Sequence, residues 1–310
     1  MKLANKILNS LSGVTRKLTY HRKLNQLYKH FNRVLLALGA EPIVTATMED
    51  GTIMLVDLST KTERISFYTG KYDPDLIAVT QSLFNPNSSF LDIGGNIGYY
   101  SVAMGHFIRL KKATGKVIAF EPFEGNYLRL TNNLKINDLN NICEVNQFGL
   151  SNKVEETEIT LREDFKHGSK TGNAAIRTSE AMDEGFKLSP IKLEVLDDIW
   201  EKKYSEIANI DVVKIDIEGH EDFCLEGGKE TLRKHRPTIL MEVNKPYYQA
   251  RKVELDERFL QLIPENYNIY KQNGLKWNKI KSLNECITID NVFLIPLEKL
   301  SLKGYNIFEN

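Results

Sequence analysis

Short apolar runs alternate along the chain with segments whose apolar positions recur at helical spacing. Phe90 to Ile93, Val117 to Phe120, Cys143 to Phe148, Asp211 to Ile217 and Pro237 to Val243 are compact enough, and rich enough in β-branched and aromatic residues, to predict strands. Between them lie predicted helices. These are Ile97 to Phe107, the stretch opened by Pro122 on which Phe123, Tyr127, Leu130 and Leu134 share a face, Val195 to Tyr204, and a segment containing Phe223, Leu225 and Leu232. Apolar strands alternating with helices predict an α/β, Rossmann-like, mostly parallel sheet covered on both faces. Asn273-Gly274, between Tyr267–Lys271 and Leu275–Trp277, predicts a hairpin, and Asn291 to Ile295 a last strand. An antiparallel strand is therefore expected near one edge.

Upstream, Thr52 to Val56 and Arg64 to Tyr68 read as short strands. Asp73-Pro74 opens a helix as N-cap and first helical residue, with Leu76, Ile77, Thr80, Leu83 and Phe84 on one face. Leu24, Leu27, Phe31, Val34, Leu35 and Leu38 recur as an amphipathic helix nearer the start. The pattern divides the chain into a basic helical extension (1–45), lead-in strands and helix (46–88) and the main α/β domain (89–300). Residues 162–187 show little periodicity and read as a long loop, of the kind that forms a lid or binding loop.

Charge sharpens this picture. The whole chain is formally neutral, which argues against a nucleic-acid partner, since neutralising phosphates takes a clustered positive excess. Residues 1–40 nevertheless carry eight Lys or Arg and no Asp or Glu. That arm is expected to pack on the main domain with its basic face in water; a peripheral membrane contact is the alternative. Cys143, Cys224 and Cys286 are far apart and form neither a disulfide framework nor a zinc motif. With no apolar run long enough to span a bilayer, a cytoplasmic location is expected.

Candidate chemistry begins at Phe90-Leu-Asp-Ile-Gly-Gly-Asn-Ile-Gly98, which follows a strand and opens a helix. Glycines there permit a sharp turn and a close ligand approach, at the first crossover of a nucleotide-type sheet. The dinucleotide pattern G-x-G-x-x-G fails, as does the phosphate loop. What stands is D-x-G-x-N-x-G. Asp92 at the strand end suits a cationic ligand group better than a pyrophosphate, and S-adenosylmethionine carries an ammonium and a sulfonium. Glu121, ending the second strand, is placed to accept from ribose hydroxyls.

Asp211-Val-Val-Lys-Ile-Asp-Ile-Glu-Gly-His-Glu221 puts Lys214 and Asp216 inside an apolar strand, a costly placement unless they are paired. Glu242 lies likewise within Pro237 to Asn244. Parallel topology gathers Asp92, Asp216, Glu218 and Glu242 on one rim. Methyl transfer to a hydroxyl needs alignment and a base, for which Asp216, Glu218, His220 and Glu242 are candidates. No metal is assigned, although a carboxylate rim has the chemistry to hold a hard cation. For Glu242 an ion pair with Lys214 competes with a catalytic role. For His220 the competing reading is an exposed residue in the first turn of a helix.

These segments resemble the FkbM-type methyltransferases, within the class I S-adenosylmethionine-dependent fold. The resemblance rests on residues 90–101, 117–137, 193–199, 212–221, 236–244 and 290–296, with Tyr68 to Asp73 as the lead-in, and spans roughly residues 50 to 296. The pairing of K-I-D-x-E-G-x-E with F-E-P carries most of its specificity. It implies a seven-stranded sheet whose last strand is antiparallel. It further implies that Asp92, Gly94, Asn96 and Gly98 cradle the methionine part of the cofactor, that Glu121 takes the ribose, and that Asp216 lies near the methyl group; Gly95, within the same turn, is expected among the cofactor-binding residues. Gly95 stands where the family often has Ala, and Asn152 where it often has Asp. The expected activity is O-methylation of a small-molecule or sugar hydroxyl, with N-methylation, or a cofactor-binding module without catalysis, as alternatives.

Overall fold

The computed structural model describes residues 12–16, 22–161, 174–176, 187–274 and 276–308. Helix α1 (Arg22–Ala37) precedes a hairpin, β1 (Ile43–Thr47) and β2 (Ile53–Asp57), and two helices, α2 (Lys61–Thr69) and α3 (Pro74–Leu83). The alternating part follows: β3 (Ser89–Ile93), α4 (Tyr99–Leu110), β4 (Lys116–Phe120), α5 (Glu124–Ile136) and β5 (Cys143–Asn146). Next come β6 (Gly149–Ser151), β7 (Glu155–Leu161), β8 (Ala174–Ile176), β9 (Lys187–Val195) and α6 (Leu196–Lys203). The chain continues through β10 (Ile210–Ile215), α7 (Glu221–Gly227), α8 (Lys229–His235), β11 (Thr238–Asn244), α9 (Lys245–Ala250) and α10 (Leu255–Phe259). It closes with β12 (Tyr267–Asn273), β13 (Lys276–Ile280) and β14 (Ile289–Pro296).

The main sheet has eight strands in the order β13-β12-β14-β11-β10-β3-β4-β5. Strands β11, β10, β3, β4 and β5 run parallel; β14, β12 and β13 are antiparallel to their neighbours. This corrects the expected seven strands with one antiparallel. The second arm of the Asn273-Gly274 hairpin continues to Ile280 and adds a full edge strand. Side chains alternate across the sheet with the strand period of two. Phe90, Val117, Ala119, Val212 and Leu240 pack on one face; Leu91, Ile118, Val213 and Ile239 pack on the other.

Two further expectations change. Arg64 to Tyr68 is helical, part of α2, because Thr60 caps it by accepting from the Glu63 amide and Gly70 ends it in the left-handed conformation. Local capping outweighs the β-prone composition of that stretch. The long segment 162–187 contributes β8 and the start of β9 to a second, four-stranded sheet, β6-β9-β7-β8; residues 162–173 and 177–186 lie outside the described residues. Among the described residues, Ile159, Leu161, Ile191 and Leu193 form its small core with partly buried Phe123 against them, so the apolar signal was thin.

The lead-in hairpin is bolted to α5 by side chains rather than by another strand. Asn133 Oδ1 accepts from the Leu55 amide and Asn137 Oδ1 from the Ile53 amide, while Asn137 Nδ2 donates to the Ile53 carbonyl. One helical turn earlier, Arg129 donates to the Leu55 carbonyl and ion-pairs with buried Glu63 at 2.6 Å. Helix α1 docks through Tyr28, stacked on Tyr68 at 4.1 Å, and through Asn32, which accepts from the Tyr68 hydroxyl. Its buried face is therefore Tyr28, Asn32 and Leu35. Leu27, Val34 and Leu38, which the helical pattern placed with Leu35 on one apolar face, point to solvent.

Candidate functional site

The chain leaves β3 toward β4 and β5 on one side and later returns through β10 on the other, so a crevice opens beyond the carboxyl ends of β3, β4 and β10. At its floor the chain turns through Gly94, with φ of +78°. A Cβ there would lie 2.0 Å from the Asp216 carbonyl oxygen, so the loop is pressed against the end of β10 and admits no side chain. The Gly94 and Gly95 amides both donate to the Phe120 carbonyl, and Asn96 takes a left-handed φ of 49°. Glu121 pins this turn from the neighbouring strand. One of its oxygens accepts from the Asn96 amide at 2.8 Å and the other from the Phe123 amide at 3.0 Å. Burial raises its pKa to about 7, against the pull of those amides.

Asp92 is fully buried. Its Oδ2 accepts from the Ser101 hydroxyl, and its Oδ1 has no hydrogen-bond partner although Lys214 Nζ stands 3.6 Å away. Lys214 also ion-pairs with Asp216 at 3.4 Å, donates to the Gly94 carbonyl and lies 5.2 Å from the ring centre of Tyr100. Lys214 is thus paired with Asp92 and Asp216 rather than with Glu242, the ion-pair alternative considered for Glu242. Burial alone would lower the Lys214 pKa, yet it is raised, because Asp216 and Asp92 outweigh the desolvation.

After Asp216 the backbone turns back at Glu218 and Gly219, both at positive φ. A Cβ on Gly219 would meet Tyr247 Cβ at 2.5 Å. Glu221 holds this turn, accepting from the Ile217 and Gly219 amides and from the Tyr248 hydroxyl. The turn brings Glu218 beside Asp216 and Glu242, with carboxylate oxygens of all three within 4.8 Å of one another. Burial, with Asp216, Glu218 and Glu221 alongside, pushes the Glu242 pKa up to about 9.

Two cavities meet here. One, lined by Asp92, Gly94, Gly95, Asn96, Glu121 and Gly149 among others, runs along the crevice. The second is acidic, walled by Glu63, Asp73, Asp216, Glu218 and Glu242 with Thr60 and Thr62. Tyr72, Asn96, Tyr99, Asp216 and Glu218 line both and form the junction. Tyr72 stacks on Tyr99 at 4.0 Å with planes 2° apart, and the Tyr99 hydroxyl is hydrogen-bonded to Ser66.

The structure therefore brings together Asp92, Gly94, Gly95, Asn96, Glu121, Asp216, Glu218 and Glu242. Gly98 serves as N-cap of α4 and does not line the crevice. His220 is drawn away from the acidic cavity. It is buried at the start of α7 rather than exposed, and its Nε2 is 2.9 Å from the Ser151 hydroxyl. Burial lowers its pKa to about 4, so the ring is neutral at physiological pH. The pattern of the main domain did not point to Tyr72, Asp73, Tyr99 or Tyr100. The Tyr-Asp-Pro run before α3 was the only local signal: Pro74 fixes the helix start, and Asp73, at a left-handed φ of 38°, makes no side-chain cap and faces the acidic cavity instead.

A doubly wound α/β sheet with a glycine turn at its switch point is the class that fold and crevice define. The sequence profile of the Methyltransferase FkbM domain matches residues 92–270, and the chain belongs to that family. Among curated proteins, Methyltransferase sdnD of Sordaria araneosa is 28% identical over 165 residues, covering 47% of this chain and 62% of the relative. Among solved structures, the FkbM methyltransferase of Methylobacillus flagellatus superposes with a TM-score of 0.42 at 16% identity, over 94% of this chain and 58% of that one. An O-methyltransferase from Bacillus cereus, solved with SAH, gives 0.37 at 17% identity, over 71% and 78%. The chain thus spans about three-fifths of the length of the first two.

Proposed function

We propose that the protein is an S-adenosylmethionine-dependent methyltransferase acting on a hydroxyl of a small molecule or sugar. The observation that carries the reading is the crevice itself: a glycine turn closed to side chains, flanked by a buried carboxylate one of whose oxygens has an ion pair but no hydrogen bond (Asp92) and by Glu121, opening onto an acidic cavity. These residues fit the cofactor. Asp92 Oδ1 and the peptide groups of the turn suit its amino-acid end, and Glu121, hydrogen-bonded by the Asn96 and Phe123 amides and by the Asn126 side chain, keeps a lone pair for a ribose hydroxyl. When bound, the cofactor supplies a methyl group already activated as part of a sulfonium.

The chain's own residues then have three tasks. The turn at Gly94 and Asn96 aligns the donor. The Tyr72–Tyr99 stack limits the junction and excludes water from it. Asp216, Glu218 and Glu242 take the hydroxyl proton, being the carboxylates that face the junction or its acidic side. Neutral His220, held by Ser151, positions the crevice wall and is given no proton-transfer role. An amine acceptor is the second reading, favoured by the excess of carboxylates around the acidic cavity; Asp216→Asn should then matter less than for a hydroxyl.

The test is calorimetric titration with S-adenosylhomocysteine, with NAD as control, on wild type and Glu121→Ala. Micromolar binding is expected, weakened by roughly tenfold or more in the variant through loss of hydrogen bonds of about 1.5–3 kcal/mol. Absence of binding up to millimolar concentrations, or binding of NAD instead, would sink the proposal.

A further inference from the structure

Helix α1 is docked on the body through one face and presents a second, apolar line beside it. Tyr28, Asn32 and Leu35 form the docked face. Residues 12–16 add to the attachment at the end of α2, where the Thr15 hydroxyl donates to the Tyr68 carbonyl and the Arg16 guanidinium to the Phe67 carbonyl. Leu27, Phe31, Val34 and Leu38 recur at i, i+4, i+7 and i+11, so they fall on a single line along the helix. Leu38 keeps to that line because its amide still donates to the Val34 carbonyl. Leu27 is 62%, Val34 45% and Leu38 71% exposed, while half-buried Phe31 packs against the core. Single exposed apolar side chains are ordinary on a protein surface; a line of them along one helix marks a contact.

The charge around the line has one sign. The sequence of α1 holds no Asp or Glu, and residues 1–40 carry eight Lys or Arg against no acidic residue. His30 and Arg33 are exposed on the side of the line away from the docked face. A second copy of the chain seated on the line would bring this flank against its own like, with no carboxylate on the helix to offset the repulsion. No described helix is long and apolar enough to cross a bilayer, so a lipid contact here lies in the plane of the interface. The exposed members of the line are aliphatic and carry no directional group. That suits a fluid apolar layer better than a protein interface, which centres on aromatic and guanidinium anchors. We propose that α1 seats the protein on an anionic lipid surface, with Leu27, Val34 and Leu38 entering the boundary of the acyl layer and the basic charge of residues 1–40 attracting the headgroups. The inference is independent of the cofactor reading above.

The experiment sediments the full chain with vesicles of phosphatidylcholine alone and of phosphatidylcholine with about one-third phosphatidylglycerol, at low and high salt. Partitioning onto the anionic vesicles is expected to exceed that onto the neutral ones by about tenfold or more at about 0.1 M salt, and to lose most of that advantage at about 0.5 M. The double variant Leu27→Glu/Leu38→Glu changes two solvent-facing side chains, so its thermal unfolding should match wild type while its binding to anionic vesicles falls by about tenfold or more. If that variant does not fold, the lipid and salt dependence of wild type decides. Failure to bind anionic vesicles, or equal binding to both kinds, overturns the inference. Undiminished binding by the folded double variant overturns it too, because charge alone would then hold the protein without the apolar line. Gel filtration identifies the competing occupant: self-association that the double variant abolishes, without vesicle binding, would assign the line to a second copy.

Discussion

Adjacent glycines in the first turn have opposite expected tolerances, for reasons visible atom by atom. At Gly94 the backbone is left-handed and the missing Cβ is replaced by the Asp216 carbonyl at 2.0 Å, a main-chain atom that cannot yield without moving β10. At Gly95 φ is not in the left-handed region, and the nearest obstacle is the tip of Leu130, at 2.7 Å. Gly94→Ala should therefore cost about 3 kcal/mol or more and abolish S-adenosylhomocysteine binding, whereas Gly95→Ala should cost about 1 kcal/mol and retain it. Thermal unfolding with calorimetry of both variants checks this; equal damage would refute the assignment of the close approach. The turn was legible in the sequence because glycine spacing and a strand-end acid are local signals. Tyr72 and Asp73 were not, since the local signal there, the run into Pro74, marks a helix start and does not report that the chain folds these residues back over a crevice whose floor begins some twenty residues later. His220 escaped for a related reason: a neutral buried ring and an exposed charged one have the same sequence context, and only the arrival of Ser151 from β6 decides.

Elements follow the same division. Strands β3, β4, β10 and β11 announced themselves as apolar runs because both their faces are buried. β7 and β9 did not, because among the described residues each buries part of one face in the small core around Ile159, Leu161, Ile191 and Leu193. The attachment of β2 was equally hidden, since asparagines on a helix ordinarily signal a solvated face. Here Asn133 on α5 and Asn137 at its C-cap, one turn apart, act as a surrogate strand. Asn133 joins three elements, accepting from Leu55 and donating to the Ile97 carbonyl beside the glycine turn. Asn133→Ala leaves both groups unpaired in a buried setting and should cost about 1–3 kcal/mol. The loss should be local: amide hydrogen exchange of residues 53–57 should accelerate more than that of β3 and β4. Uniform acceleration would mean that the hairpin is an integral part of the core rather than a module held by side chains.

At the scale of the molecule, the site belongs to the parallel half of the sheet, and the antiparallel half reaches it through the helices that follow β11. Their anchor is Asp222, fully buried on α7, which accepts from Arg251 of the turn after α9 at 2.8 Å and from Arg258 of α10 at 2.9 Å; Arg251 also donates to the Gly219 carbonyl. Burial raises the Asp222 pKa, but the hydrogen bonds from the two guanidiniums outweigh it, and the folded value lies below the ordinary one. A carboxylate depressed by folding adds stability that is fully present above its unfolded pKa and is lost as the pH falls toward the folded one. Asp222→Asn removes that dependence along with the charge. At pH 7 the variant should be less stable by about 3–5 kcal/mol, the usual cost of stranding buried cations. The gap should narrow from near pH 4 downward, as wild type loses the same contribution. Urea unfolding of both proteins between pH 7 and 3 measures it. A gap that stays constant with pH would show that Asp222 acts through shape and neutral hydrogen bonds alone. A gap that closes would show charge tying the two halves together, at the turn on which Glu218 is presented to the acidic cavity.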